Sequence, residues 1–207
     1  MALRDTIEHY HRNAVQFQSQ YDSIRPEDVH ADWRFLLDKV TPGVALDVGA
    51  GSGRDALWLA RQGWQVTAVE PAQGLRDLAQ QNSGDQVRWI DSQLPTLAAV
   101  ERPPRGYDLI LLSAVWMHLP VALRPQAFER LTALLSPGGL LIITLRFGPS
   151  DPARPMYGVS VEELQQLAHS RELVLQLLGP KVSADRLQRA DVSWQTVCLQ
   201  AARASNA

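Results

Sequence analysis

The spacing of apolar and polar residues changes once along the chain, near Pro42. Before it the rhythm is helical. Ile7, Tyr10, Ala14 and Phe17 recur at three- and four-residue steps and share one face. Pro26-Glu27-Asp28 opens a second predicted helix, with proline suited to a first turn and the two acids to the positive dipole end. Val29, Trp33, Leu36 and Leu37 form its apolar stripe, and Thr41-Pro42-Gly43 ends it. Residues 1–42 therefore read as an N-terminal helical cap or lid on a main domain of residues 43–207.

Beyond Pro42, strand and helix patterns alternate. Val44–Val48 is a continuous apolar run, as expected of a strand buried on both faces. Predicted strands follow at 65–69, 86–90, 107–112, 140–145, 173–178 and 193–200. Predicted helices lie at 55–62, 72–81, 125–135 and 161–169. Ser136-Pro137-Gly138-Gly139 reads as a turn. Such alternation predicts an α/β fold, a parallel sheet doubly wound with helices on both faces. Ligands on these sheets bind beyond the carboxyl ends of the strands, where strand order reverses. The segments after Val48, Val69, Ile90 and Leu112 all sit at such ends.

Composition narrows the partners. The chain has 207 residues, 45% of them apolar, enough for one sizeable domain core. Its net charge is −2 and no Lys/Arg block stands out, so a nucleic-acid partner is not favoured. Lys39 and Lys181 are the only lysines among many arginines, which reads as compositional bias. A lone cysteine, Cys198, rules out an intrachain disulfide framework and a thiolate zinc cluster, and no metal site is expected. The first ten residues carry no apolar signal core and no run reaches transmembrane length, so a cytoplasmic location without a membrane partner is expected.

The chemistry concentrates after the first strand, in Asp47-Val48-Gly49-Ala50-Gly51-Ser52-Gly53-Arg54. Glycines permit positive φ and close backbone approach to a ligand, and the following helix start offers unpaired N–H groups. A dinucleotide site wants a third glycine where Arg54 stands, and a phosphate-binding P-loop wants Lys-Ser/Thr, which is absent.

The pattern instead resembles motif I of the class I S-adenosylmethionine-dependent methyltransferases. The resemblance spans about residues 44–200. It rests on Leu46-Asp47-Val48-Gly49-Ala50-Gly51-Ser52-Gly53-Arg54-Asp55, on Glu70-Pro71 after the second strand and on Asp91 after the third. Tyr107-Asp108 at the fourth and Pro137-Gly138-Gly139 before the fifth complete it. It implies a Rossmann-like sheet of seven strands with the last, 193–200, antiparallel, and S-adenosyl-L-methionine as cofactor, leaving as S-adenosyl-L-homocysteine.

The resemblance also assigns cofactor-binding residues. Glu70, about twenty residues past the glycine turn, would accept both ribose hydroxyls. Asp47 would attract the methionine ammonium or fix the loop. Gly49, Ala50, Gly51, Ser52 and Gly53 would lie against the methionine and ribose. Pro71 would follow beside Glu70, Asp91 and Ser92 would meet the adenine, and Ser113, Ala114 and Val115 would run beside the sulfonium.

Methyl transfer from a sulfonium needs alignment more than a fixed catalytic group. His118 is the candidate base. Tyr10, in the covering helix, and Tyr21 and Arg25, in the connecting loop, are candidate acceptor-site residues, although packing is the default role for Tyr10, His9 and His11. Arg146 and Arg154 could meet a carboxylate or phosphate, with solvation the default for Arg154. Of the six tryptophans, Trp116 is the one expected in the pocket. Leu112-Ser113-Ala114-Val115-Trp116 lacks the Asn/Asp-Pro-Pro-Tyr motif of enzymes that methylate adenine or glutamine amides, and no Pro-Cys follows a strand. A small-molecule acceptor is the remaining expectation, with O, N, S or C as the accepting atom, and with monomer and homodimer both open. The alternative is a non-catalytic cofactor-binding regulator or partner subunit on the same fold.

Overall fold

The computed structural model describes residues 2–171 and 173–200. Seven strands form one sheet: β1 (Val44–Val48), β2 (Gln65–Val69), β3 (Val87–Ile90), β4 (Tyr107–Leu112), β5 (Leu135–Phe147), β6 (Val174–Ala184) and β7 (Ser193–Gln200). Their order is β3-β2-β1-β4-β5-β7-β6, with β7 antiparallel to both neighbours and the other pairings parallel. The seven strands and the reversed last one match the sequence expectation. Chain direction across the sheet reverses between β1 and β4, so the crevice at their carboxyl ends is the switch point.

Seven α-helices surround it: α1 (Ala2–Arg12), α2 (Ala14–Asp22), α3 (Pro26–Val29), α4 (Arg54–Arg61), α5 (Gln73–Ser83), α6 (Arg124–Leu134) and α7 (Val161–His169). Side chains alternate across the sheet. Ile110 and Leu112 enter one core layer with Leu141, Ile143, Phe128 and Leu164. Leu109 and Leu111 enter the opposite layer with Ala45, Ile142, Trp33, Trp58 and Leu59. Successive residues of a strand point to opposite faces, so a central strand buried on both sides must be apolar throughout, as β4 is from Leu109 to Leu112.

Three expectations change. The helix predicted from Pro26 stops after four residues. A 3-10 stretch at Arg34–Lys39 replaces its second half, with only Trp33 and Leu37 of the stripe fully buried. The turn at Ser136–Gly139 is absorbed into β5. Tyr107 pairs with Leu135 but Leu109 pairs with Leu140, so the extra residues bulge between them. A Cβ on Gly139 would stand 2.8 Å from the Tyr107 carbonyl oxygen, and that close approach explains the glycine. Finally, β6 runs on to Ala184, beyond the apolar segment that marked it.

Asp108, part of the sequence resemblance, works at the far end of the sheet. It accepts from the Val44 N–H (3.0 Å) and the Ser136 hydroxyl (2.9 Å), tying the starts of β1, β4 and β5 together.

Candidate active site

A cleft of about 260 Å³ opens at the carboxyl ends of β1, β2, β4 and β5, and α1 and α2 form part of its wall. Its floor is the turn after β1. Gly49, Gly51 and Gly53 have φ of +70°, +57° and +79°, which side chains with a Cβ rarely adopt. A Cβ on Gly49 would also come within 2.6 Å of Val115, and one on Gly53 within 2.8 Å of Trp89.

Glu70, at the end of β2, braces this turn from below. One carboxylate oxygen accepts the Gly51 N–H and the other the Ala72 N–H, each at 2.8 Å. Burial pushes its pKa up to about 7, against the pull of those two N–H groups. Each oxygen keeps a lone pair, so the carboxylate can still accept hydroxyl hydrogens. Asp47 is 1% exposed and its Oδ2 has no hydrogen-bond partner among the described residues, although it lines the cleft. Burial, then the nearby Asp55 charge, raise its pKa well above the usual carboxylate range. A buried acceptor facing a cleft is suited to a cationic donor.

Behind the turn lies a second cluster of charged groups. Arg54 donates to both oxygens of Asp55 (2.7 and 3.0 Å) and to the Tyr21 carbonyl (3.1 Å). His30 Nδ1 accepts from the Trp33 indole N–H (3.0 Å), and its Nε2 lies 3.0 Å from Asp55 Oδ1. Burial alone would raise the Asp55 pKa, but His30 and Arg54 together hold it well below the carboxylate range. Ser52 donates to Asp22 at 2.7 Å, so the turn is fastened to α2 as well.

The far wall comes from the segment after β4. Ala114 has φ +61° and its N–H donates to Thr144 Oγ1 at 2.7 Å. His118 follows in a short 3-10 turn, Trp116–His118. Its Nδ1 faces the Pro155 carbonyl oxygen (3.3 Å), which can only accept, so Nδ1 carries the hydrogen. Nε2 then accepts from the Tyr10 hydroxyl (3.0 Å), whose oxygen in turn accepts from Arg154 Nη1 (3.0 Å). Burial lowers the His118 pKa to about 4, so the ring is neutral at pH 7.

The cleft brings together most of the residues singled out by sequence. Asp47, Gly49, Ala50, Gly51, Ser52, Glu70, Pro71, Ser92, Ser113, Ala114, Val115, His118, Tyr10, Tyr21 and Arg146 all line it. Four others do not. Gly53 sits under the turn against Trp89 and begins α4. The Asp91 side chain is 68% exposed and lies 3.2 Å from Arg76, which draws it along α5 and out of the cleft wall. Arg25 points to solvent beside Glu27 (3.5 Å). Trp116 is 0% exposed, packed under the Arg124 guanidinium, and its indole N–H meets Glu163 at 3.4 Å. It is core, because the 3-10 turn after Val115 rotates it inward. Arg154 is not simply solvated either: it holds Asp151 (3.0 Å) as well as Tyr10.

Sequence reasoning missed Thr144, Asp185 and Arg189. The first is one polar residue in an apolar strand, and that break in β5 is its only local signal. The other two lie between β6 and β7, where no pattern marks them. Among the described residues no cluster of three or more metal-ligating side chains occurs, and no helix is long and apolar enough to cross a membrane. Cys198 is buried in β7, and burial pushes its thiol up to about 12.

Several known proteins are similar to this chain. An uncharacterized methyltransferase of Mycobacterium bovis is 32% identical over 130 residues, covering 61% of this chain and 64% of that protein. The match thus spans less than two thirds of that relative's length. A thiopurine S-methyltransferase of Vibrio campbellii is 25% identical over 158 residues, covering 66% of this chain and 69% of its own. Among solved structures, the 1,6-didemethyltoxoflavin-N1-methyltransferase of Burkholderia thailandensis, with bound 1,6-didemethyltoxoflavin and S-adenosylhomocysteine, superimposes with a TM-score of 0.67. It is 21% identical, covering 98% of this chain and 91% of that one, and shares the fold. The family pattern described as "Methyltransferase domain" matches residues 21–189, so this chain belongs to the methyltransferase-domain family.

Proposed function

We propose that the protein transfers a methyl group from S-adenosyl-L-methionine to a small-molecule acceptor, with the cleft at the β1–β4 switch point as the donor site. The observation that carries this reading is the pair of buried carboxylates on the cleft wall, Asp47 and Glu70, flanking the Gly49–Gly51 turn. Glu70 would accept the two ribose hydroxyls with the lone pairs left free by Gly51 and Ala72. The orphaned Asp47 Oδ2 would face the ammonium of the methionine portion, as hydrogen-bond acceptor and, once ionised, as counter-charge. The glycine backbone admits the donor closely, and Ser113, Ala114 and Val115 form the opposing wall. Pro71 and Ser92 would border the base.

The cofactor supplies a methyl group already activated by the positive sulfur. The chain's part is then to hold donor and acceptor in line and to keep water out. The first two helices, α1 and α2, serve as the lid: Tyr10 and Tyr21 reach into the cleft, and Tyr10 is fastened to His118 and Arg154. His118 positions that lid with its one free lone pair. It takes a proton from an acceptor only where the acceptor displaces Tyr10.

Calorimetry with S-adenosylhomocysteine tests the donor site. Removing the Glu70 carboxylate forfeits charge-assisted hydrogen bonds, so Glu70→Ala should weaken binding roughly tenfold to a hundredfold. A folded protein that binds neither form of the cofactor would end the proposal. Release of S-adenosylhomocysteine from a metabolite mixture distinguishes an enzyme from a non-catalytic binder on the same fold.

A further inference from the structure

The cleft is electrically polarised along its length. Its donor end carries the buried carboxylates Asp47 and Glu70. Its other end carries three arginines that are not exposed, Arg146, Arg154 and Arg189, brought from β5, the loop after it and the β6–β7 connection, beside Asp185 and the exposed Arg186.

Two of these three cations are matched. Arg154 Nε stands 3.0 Å from Asp151 Oδ2. Arg189 donates to both oxygens of Asp185 (2.9 and 2.7 Å), and that carboxylate also accepts from the Trp194 indole N–H at 2.8 Å. Arg146 is the exception. It is 8% exposed, and its Nη1 donates to the Pro149 carbonyl at 3.0 Å. Its Nε is buried with no hydrogen-bond partner, and it makes no ion pair, among the described residues. Burial, then the charges of Arg189 and Arg154, press against its protonated form, while Asp185 and Asp191 partly offset them. A buried cation with an unused donor is costly unless something pairs with it.

The placement indicates what that something is. Thr144 and Arg146 are two apart on β5 and share a face of the sheet, opposite Thr196 and Trp194 of β7. Thr144 holds the Ala114 N–H beside the donor end, so Arg146 stands roughly 7 Å further along the strand. That is a distance spanned by a small acceptor molecule.

We propose that Arg146 binds a compact oxyanion on the methyl acceptor, a carboxylate or phospho group, so that the acceptor class is a small organic anion. This rests on the methyl-transfer reading above. The anion lies against the guanidinium, and the accepting atom points back toward Ser113–Val115. In the transfer the acceptor's lone pair forms the bond to the methyl carbon, while the carbon–sulfur bond breaks with its electron pair going to sulfur. Any proton on the accepting atom leaves to solvent. The cationic donor becomes a neutral thioether, and the acceptor gains one methyl group.

The test compares phenylacetate, phenyl phosphate and the neutral phenylacetamide by NMR titration of the full chain, with S-adenosylhomocysteine binding measured on the same samples. At least one anion should bind about tenfold more tightly than the amide, and Arg146→Gln should bring the two within about twofold. Which anion prefers the site separates the carboxylate from the phospho group. The wild-type Arg146 Nε–H resonance should shift with the anion and stay with the amide, a readout that stands even if the variant does not fold. Cofactor binding without anion preference, or a preference that survives Arg146→Gln, overturns the proposal and leaves methyl transfer untouched. Anion preference without cofactor binding overturns methyl transfer and supports the oxyanion site.

Discussion

Tyr10 and His118, 108 residues apart in the chain, share a hydrogen bond of 3.0 Å in which the phenol donates to the ring Nε2. The bond joins the first helix to the segment after β4. Its direction follows from Nδ1, committed to the Pro155 carbonyl, and from Arg154, which occupies the phenolic oxygen. The first helix and the far wall of the cleft are therefore one connected polar chain.

Tyr10→Phe keeps the ring contact with Phe17, whose centroid lies 4.7 Å away, and removes only the hydroxyl. It leaves His118 Nε2 and one Arg154 donor unmatched. The loss should be about 1–2 kcal/mol of unfolding free energy, read as a lower urea midpoint at unchanged slope. Coincident midpoints would mean the bond contributes nothing.

His118 should not titrate near neutrality. Its folded pKa, lowered by burial to about 4, lies below the 6.5 of a free imidazole. The neutral ring therefore contributes stability that is fully present above about pH 6.5 and is lost as pH falls through about 4. In the NMR spectrum its ring resonances, assigned by their absence in His118→Gln, should stay fixed from neutrality down to mild acid. A midpoint near 6.5 would contradict the burial and the Tyr10 contact together.

Glu70 has the opposite sign. Burial raises its folded pKa from 4.5 to about 7, so the native state favours the protonated form. Its contribution to stability is fully present below about pH 4.5 and lost as pH rises through about 7. Ligand binding should run the other way, because the ionised carboxylate is the stronger acceptor of ribose hydroxyls. S-adenosylhomocysteine affinity should therefore rise more steeply across neutrality in the wild type than in Glu70→Gln, where Asp47 is the carboxylate left to ionise. Parallel pH profiles for the two proteins would remove Glu70 from the binding site.

What the sequence made legible was local. Val44–Val48, the glycine turn and the helix start are adjacent in the chain, so strand, turn and anion-friendly helix end could be read directly. Glu70 was legible because it closes a strand with a clear pattern. Trp116 was not, because its direction depends on the 3-10 turn and on Glu163 from α7, 47 residues on. Asp91 was not, because Arg76 on α5 competes for it. Arg146 was visible as a strand-end cation, but its lack of a counter-ion emerges only once Asp151 and Asp185 are seen spent on Arg154 and Arg189.

Gly49 and Gly84 both need glycine, but only one of them lies in the cleft wall. Both have positive φ, +70° and +52°, so an alanine is strained at either. At Gly84 nothing lies within 4 Å of a new Cβ, whereas at Gly49 it would meet Val115 at 2.6 Å. Gly84, at ψ −136°, lies outside the left-handed helical region in backbone that is essentially glycine's own, so Gly84→Ala should cost the backbone strain alone, about 1–3 kcal/mol. Gly49→Ala adds a clash to its own backbone strain and, unlike Gly84→Ala, should weaken S-adenosylhomocysteine, since Val115 must shift within the cleft wall. Thermal midpoints and calorimetry read the two effects. Unchanged cofactor affinity in Gly49→Ala would show that Val115 yields freely.

Thr144 isolates the far wall. Its Oγ1 accepts the Ala114 N–H at 2.7 Å, and Ala114 is held at φ +61°, a conformation unfavourable by roughly 1–2 kcal/mol for a residue with a Cβ. Thr144 is 7% exposed, so Thr144→Val keeps the shape and buries an N–H without a partner. The direct cost should be about 1–3 kcal/mol. Without its acceptor, the strained Ala114 backbone is free to relax, and the Ser113–Val115 wall moves with it. Cofactor affinity should fall along with stability, through the displaced Ser113–Val115 wall. Thr144→Ser restores the hydroxyl and should recover both. If Thr144→Val lowered stability while leaving S-adenosylhomocysteine affinity unchanged, the wall would hold its shape without the hydrogen bond, and Thr144 would be a core residue only.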